Sequence, residues 1–449
     1  MSKRKIVVGI LAVSGLPVGA LAPRSSLLAF AGGLNLQAIF LFLLLLLCLL
    51  LLLTDIPRLL RLALQVPVVS LFLAYSAASI VNAPDLVFGL RFIAKIQAPF
   101  LFGALFAATL GDSEIRGAAD RAIRRLCLLV FLLGLFNYAI YDPALAAVDK
   151  AFGLIPPLAA PYTSPANFSF LMGCGAISSW ASHLLARHAG QRSRRDRALT
   201  LLLALALVFA YVRISLLGLV AAFLVFFLIL QRGVILRLAV IGIGAVLPFA
   251  ALLASESLRK RMFFNSELDV LSLFYDPAAF FANLNTSGRS LLWSTVLATF
   301  QNRDWLFGAG PGAVDLWLAR YYSNSELHSE YLRLYIELGA CGLALYLGAM
   351  LSLLLLVLRR LRRTPDGAAR IRLAAGAAAL VFYLVTLATD NSLNYVTDFG
   401  IYVFALLAMG LTTTLPSLPT PHPHPTAPAL IREAPAIGQD ALPRSASPG

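Results

Sequence analysis

Long apolar runs separated by short charged segments dominate this chain. Runs approaching the roughly 20 residues that a bilayer-crossing helix needs fall at about Ile6–Ala22, Leu36–Leu53, Val66–Val81, Leu86–Leu110, Leu126–Tyr141, Phe168–Leu185, Leu199–Val212, Ile214–Leu230, Val234–Leu253, Tyr331–Leu358, Leu373–Ala388 and Tyr395–Leu411. The pattern predicts an all-α polytopic transmembrane bundle of about twelve spans. Composition agrees, since 59% hydrophobic residues, 13% charged residues and a mean hydropathy of +0.82 are values a water-exposed surface could not accommodate at this length.

Charge orients the spans, because Lys and Arg beside a span are retained on the cytoplasmic side. With the amino terminus inside, most of the 36 basic residues fall on that side, including Lys3 to Lys5, the Arg187 to Arg197 group and the Arg359 to Arg372 group. The net charge of +14 then follows from topology and gives no indication of nucleic acid. The stretch Leu199 to Leu230 is interrupted only by Arg213. One long helix there would put the Arg359 to Arg372 group outside, so charge parity predicts a hairpin with Arg213 at its outer tip.

The expected organisation is a bundle of about nine spans over 1–253, an outer loop over 254–330, about three further spans over 331–414 and a disordered cytoplasmic tail over 415–449. Lys3-Arg4-Lys5 followed by an apolar run and Ala20-Leu21-Ala22 also resembles a secretory signal. Pro23 makes a poor cleavage context, so a retained first span is favoured. The four cysteines all fall in predicted spans without metal-ligand spacing and read as small packing residues. His422 and His424 lie in the Pro-rich tail and read as linker.

Candidate chemistry concentrates in the outer loop. Thr286-Ser287 can cap a helix over Arg289 to Phe300, whose apolar positions Leu292, Trp293, Val296 and Phe300 recur at helical spacing. Arg289 shares their face in the first turn, where a cation opposes the helix dipole. It reads either as a phosphate cradle beside free amide groups or as a snorkelling surface arginine. The glycine cluster Gly308-Ala309-Gly310-Pro311-Gly312 lacks nucleotide-binding spacing and predicts a tight turn over the membrane surface. His328 is the one histidine expected outside; its imidazole can take a proton from a hydroxyl, although a lone histidine is more often structural. Glu330, Arg333 and Glu337 read as a salt-bridged helical row. Arg213, and more weakly Arg91 and Lys95 one turn apart, are cations at membrane depth of the kind that serve a ligand or a pathway, or that snorkel. Asp390-Asn391 could orient a base or bind sugar, or simply form a helix-end loop.

Taken together, Gly288-Arg289-Ser290-Leu291-Leu292-Trp293, Trp305-Leu306-Phe307-Gly308-Ala309-Gly310, His328-Ser329-Glu330-Tyr331-Leu332 and Glu337-Leu338-Gly339-Ala340-Cys341-Gly342-Leu343 resemble the O-antigen ligase and polymerase superfamily. Val212-Arg213-Ile214-Ser215-Leu216 is similar to that family's short outer turn carrying an arginine. The resemblance implies a GT-C-like enzyme of the bacterial inner membrane, with its active site facing the periplasm. Such an enzyme transfers a glycan from undecaprenyl diphosphate to a sugar hydroxyl, on a growing glycan or a lipid A core, without metal or other cofactor. It further implies that Arg213 and Arg289 bind the diphosphate and that His328 activates the acceptor. The sequence departs from the pattern at Ser329, where relatives often carry Asn, and at Val212, where Ser is usual. The short outer segment 142–167 favours ligase-like or exopolysaccharide-type members over repeat polymerases. A rival reading is a transporter or flippase for a lipid-linked or small solute; such proteins commonly show two related halves and discontinuous helices at midplane, whereas no duplication is visible here and the informative residues cluster on one face.

Overall fold

The computed structural model describes residues 3–14, 36–139, 158–159, 164–231, 288–322 and 326–413, together with 233, 235–236, 239, 242, 256, 259–260, 263, 275–283 and 285–286. Every regular element among them is helical: α1 Lys3–Val13, α2 Leu36–Leu53, α3 Ile56–Gln65, α4 Pro67–Ala78, α5 Leu86–Thr109, α6 Ser113–Ala139, α7 Pro165–His188, α8 Arg194–Phe209, α9 Arg213–Leu230, α10 Pro277–Ala282, α11 Arg289–Thr299, α12 Ala313–Tyr321, α13 Glu330–Arg363, α14 Gly367–Thr386 and α15 Ile401–Thr412. A 3-10 turn and a π turn, Ser392–Tyr395 and Val396–Gly400, lead directly into α15.

Of the twelve expected spans, five coincide with helices long and apolar enough to cross a membrane: α5, α9, α13, α14 and the continuous segment Ser392–Thr412. Shorter apolar helices cover Leu41–Leu53 and Pro67–Asn82. The expected ninth span at 234–253 and the tail at 415–449 lie outside the described residues, as does the end of the first span beyond residue 14. The fifth begins earlier than hydropathy suggests, at Ser113 rather than Leu126. Polar residues there are accommodated by pairing, with Arg124 held between Asp120 at 3.0 Å and Asp196 of α8.

The hairpin at Arg213 forms, with α8 ending at Phe209 and α9 starting at Arg213. Tyr211 turns the chain at φ 54°. Its two arms pack mainly on different neighbours, α8 on α7 and α9 on α14. Helices α14 and α15 form the centre, and α15 is buried on all sides. Small residues allow this close approach, which drives helix association where lipid supplies no hydrophobic gain. The ring of Phe382 lies where a Cβ on either Gly173 of α7 or Gly218 of α9 would stand, at 2.4 and 2.7 Å.

Helix α13 departs most from the sequence expectation of one unbroken span. Gly339 at φ 70°, ψ −174° breaks it, and a break inside a membrane leaves backbone groups that must find partners. The glycine-rich segment turns as expected, with positive φ at Gly308, Gly310 and Gly312, and it fills the gap. Ala309 N donates to Ile336 O at 2.8 Å and Gly310 N to Glu337 O at 3.1 Å, while Ala340 N and Cys341 N donate to Trp305 O and Leu306 O at 2.9 and 3.1 Å. Tyr75 Oη of α4 donates to Leu338 O at 2.8 Å. The approach demands glycine: a Cβ on Gly339 would stand 2.1 Å from Leu306 O, and one on Gly308 2.5 Å from Gly339 N.

Gly339→Ala is therefore expected to lower the thermal unfolding midpoint in detergent far more than Gly190→Ala. Gly190 also has positive φ, at 74°, but meets nothing within 4 Å, so Ala there carries only the roughly 1–2 kcal/mol of a left-handed residue. Equal, small shifts for the two variants would contradict the docking of the glycine segment into the break.

Candidate functional site

Helix α11 organises the site. Gly288 at φ 78° starts it, and Thr286 of the expected pair caps it, its Oγ1 accepting from Ser290 N at 3.4 Å. Ser287 lies outside the described residues. The expected apolar face forms, as Leu292, Trp293, Val296 and Phe300 pack with Val314 and Leu318 of α12, Leu327 and Ile336. Two polar contacts from this face then reach separate segments. Trp293 Nε1 donates to Leu327 O at 2.7 Å, and the Arg289 guanidinium donates to Thr389 O. Residues next to His328 and Asp390 are thereby held by one helix.

His328 adopts φ 56°, a left-handed conformation that marks functional or constrained positions in residues other than glycine. Asn391 holds it there. Asn391 Oδ1 accepts from the backbone N of His328 at 2.7 Å, and Asn391 Nδ2 lies 2.8 Å from Glu326 Oε2 and 3.1 Å from His328 Nδ1. Glu326 Oε2 is 3.9 Å from His328 Nε2. Asp390 is buried, and its Oδ1 accepts from Asn391 N at 2.7 Å.

Burial and the nearby Arg289 cation push the His328 pKa down to about 4. Burial drives Asp390 the opposite way, to about 6, with Glu326 adding to the rise; the Asn391 N–H and Arg289 oppose it. At neutral pH the site therefore holds a neutral imidazole beside an ionised carboxylate and a fixed guanidinium.

The structure thus brings together Arg289, His328 and Asp390 of the sequence candidates. Arg213, at the first position of α9, donates to Asn285 O at 2.6 Å, which joins it to the segment leading into α11. Lys95 and Arg91 belong instead to an adjoining buried group of charges. Lys95 Nζ donates to Asn394 Oδ1 at 2.7 Å and lies 3.9 Å from Asp315, and Arg91 lies within electrostatic range of Lys95 and Arg333. Arg333 pairs with Asp315, with Glu330 at 3.6 Å and with Glu337 at 3.7 Å. The row read as a helical salt bridge is real but almost wholly buried, because Glu337 also accepts from Gly312 N at 2.7 Å and Val314 N at 3.2 Å, capping α12. Glu330 Oε1 accepts from Leu393 N at 3.2 Å, and Glu330 N donates to Leu387 O at 3.0 Å.

Glu326, Asp315 and Asn394 were not singled out by the sequence. Their contacts with Asn391, Arg333 and Lys95 join segments far apart along the chain, so no spacing marks those pairs. Of the two departures from the family pattern, the one at Ser329 has a local explanation. Ser329 is the N-cap of α13, its Oγ accepting from Leu332 N at 3.4 Å, and Ser and Asn are equivalent in that role. Val212 is the N-cap of α9 without a side-chain bond, so the first turn of α9 presents Arg213 with no capping hydroxyl from that position.

Residues 198–347 match the family described as O-antigen ligase. The matched segment starts in α8 and ends in α13, so it contains Arg213, Arg289, Glu326 and His328, while Arg91, Lys95, Asp390 and Asn391 lie outside it. No curated protein matches the chain. With its multiple apolar helices the chain is a multi-pass membrane protein, and its segment 198–347 is similar to the O-antigen ligase family, in line with the O-antigen ligase and polymerase superfamily.

Proposed function

We propose that this protein transfers a glycan from undecaprenyl diphosphate to a sugar hydroxyl on the periplasmic face of the bacterial inner membrane, in the manner of an O-antigen ligase or an exopolysaccharide-type enzyme. The observation that carries the reading is the meeting of Arg289, His328 and Asp390 around Asn391, with Arg213 reaching the segment that leads into α11. Arg289 and Arg213 bind the diphosphate. Negative charge grows on that leaving group as the glycosidic bond breaks, so fixed guanidinium groups in a partly dry site stabilise the transition state more than the ground state. His328 sits at the acceptor hydroxyl, which attacks the anomeric carbon in a single displacement with inversion. The acceptor is a lipid A core or another glycan, and Arg91, Lys95 and their partners support the site from beneath.

The direct test is purified protein with a defined polyprenyl-diphosphate glycan and candidate acceptors, the product being weighed by mass spectrometry. In cells, His328→Ala should leave lipid-linked glycan on the outer leaflet. Accumulation on the cytoplasmic leaflet would instead support a flippase and retire the transfer reaction.

Arg289→Lys keeps the charge but removes the two-pronged donor. Turnover should fall by about 10- to 100-fold, the scale of one charge-assisted hydrogen bond, at unchanged protein level. Wild-type turnover in that variant would assign Arg289 to the surface of the fold.

Because burial and Arg289 both disfavour the imidazolium, His328 should remain neutral down to about pH 5, with no titration near the ordinary 6.5 in nitrogen-detected NMR. Arg289→Gln removes one of the two causes, so the pKa should rise from about 4 while staying under 6.5. A fall, or no change, would contradict the proximity of the two side chains.

A further inference from the structure

The amide of Asn391 has only one orientation consistent with its neighbours. Its Oδ1 faces the backbone N–H of His328 at 2.7 Å and its Nδ2 faces the Glu326 carboxylate at 2.8 Å. A flipped amide would set donor against donor at the first contact and oxygen against oxygen at the second. The group 3.1 Å from His328 Nδ1 is therefore an NH2 donor, and Nδ1 meets it with a lone pair. A neutral imidazole that accepts at Nδ1 carries its proton on Nε2. Nε2, the nitrogen left for substrate, is then a donor and has no pair with which to take a proton.

Among the described residues, Asp390 and Glu326 are the carboxylates hydrogen-bonded to Asn391. Asp390 is 3% exposed and already accepts from Asn391 N. The side chain of Glu326 is 36% exposed, and its Oε2 lies 3.9 Å from His328 Nε2. That gap is too long for a direct hydrogen bond and leaves the Nε2 proton available to a substrate oxygen. Among the described residues, His328, Asn391, Asp390 and Tyr395 are the polar groups that face Glu326.

Resting on the transfer reaction proposed above, we infer that Glu326 is the general base and that His328 acts as a hydrogen-bond donor through Nε2. The acceptor oxygen forms its bond to the anomeric carbon as the bond from that carbon to the phosphate oxygen breaks. The electron pair of the broken bond leaves with the lipid diphosphate. The proton of the hydroxyl passes to Glu326, which becomes a neutral acid and returns the proton to water after product release. His328 Nε2–H meanwhile fixes the acceptor oxygen in line.

The test uses the full-length protein with a polyprenyl-diphosphate glycan and an accepted sugar, comparing Glu326→Gln, Glu326→Ala, His328→Gln and His328→Ala. Glu326→Gln should lose about 10²- to 10⁴-fold in kcat, the range of general-base catalysis, with donor affinity within about threefold. Formate should restore part of the activity of Glu326→Ala, which a purely structural glutamate would not allow. Glutamine places an amide N–H near the position of Nε2, so His328→Gln should exceed His328→Ala by about tenfold or more. Near wild-type turnover in Glu326→Gln, absence of formate rescue, or equal inactivity of both His328 variants would overturn the inference and return the proton to the imidazole. No transfer by the wild-type protein would remove the underlying reaction itself.

Discussion

The site depends on a break in a membrane helix. Where a helix stops hydrogen-bonding to itself in a buried setting, its freed amides and carbonyls must be met by protein. At Gly339 the partner is the backbone of residues 305–310, which contributes donors to Ile336 and Glu337 and acceptors to Ala340 and Cys341. The exchange is reciprocal: the loop satisfies the helix, and the helix fixes the loop. Because only glycine permits the approach on both sides, the seat has one register, and α12 begins from it at Gly312.

The buried charges extend this constraint to the residues around His328. Glu337 caps α12 while pairing with Arg333, and Arg333 in turn reaches Asp315 within α12. Glu330 and Lys95 grip the segment after α14 at Leu387, Leu393 and Asn394. Such a network is weak evidence for stability, since burying each ion carries a desolvation penalty of several kcal/mol. Its physical consequence is specificity. Removing Arg333, which pairs with all three carboxylates, strands buried charge at about 3–5 kcal/mol, so alternative packings of the loop and of residues 387–394 are disfavoured together. Asn391, which orients His328, lies in that segment.

Much of the fold was legible because lipid imposes a simple rule on composition. The hairpin at Arg213 followed from charge parity alone, and the apolar face of α11 from spacing. The break at Gly339 was not legible, because Leu338-Gly339-Ala340 sits in an apolar run and glycine is common in membrane helices. Its meaning resides in Leu306, more than thirty positions away. The same holds for the site. Arg289 and His328 stood out as charged or titratable residues in a mostly apolar chain, and Asp390-Asn391 was visible only as a helix-end pair. What turns them into a constellation is two hydrogen bonds of α11, from Trp293 to Leu327 and from Arg289 to Thr389, and neither has a signature in spacing.

One cation also sorts the titratable groups. The Arg289 guanidinium disfavours a proton on His328 and on Asp390 alike, so near neutral pH it helps to keep the imidazole neutral and the carboxylate ionised. These are opposite consequences for charge from a single field, because one group is cationic when protonated and the other anionic when not. An anion bound at Arg289 reverses both influences and makes nearby groups hold protons more tightly. A phosphate docked there would raise the proton affinity of its neighbours, and its departure would lower it again. Occupancy of the arginine and basicity of the surrounding groups are thus coupled by the short distances between them, without any movement of the chain.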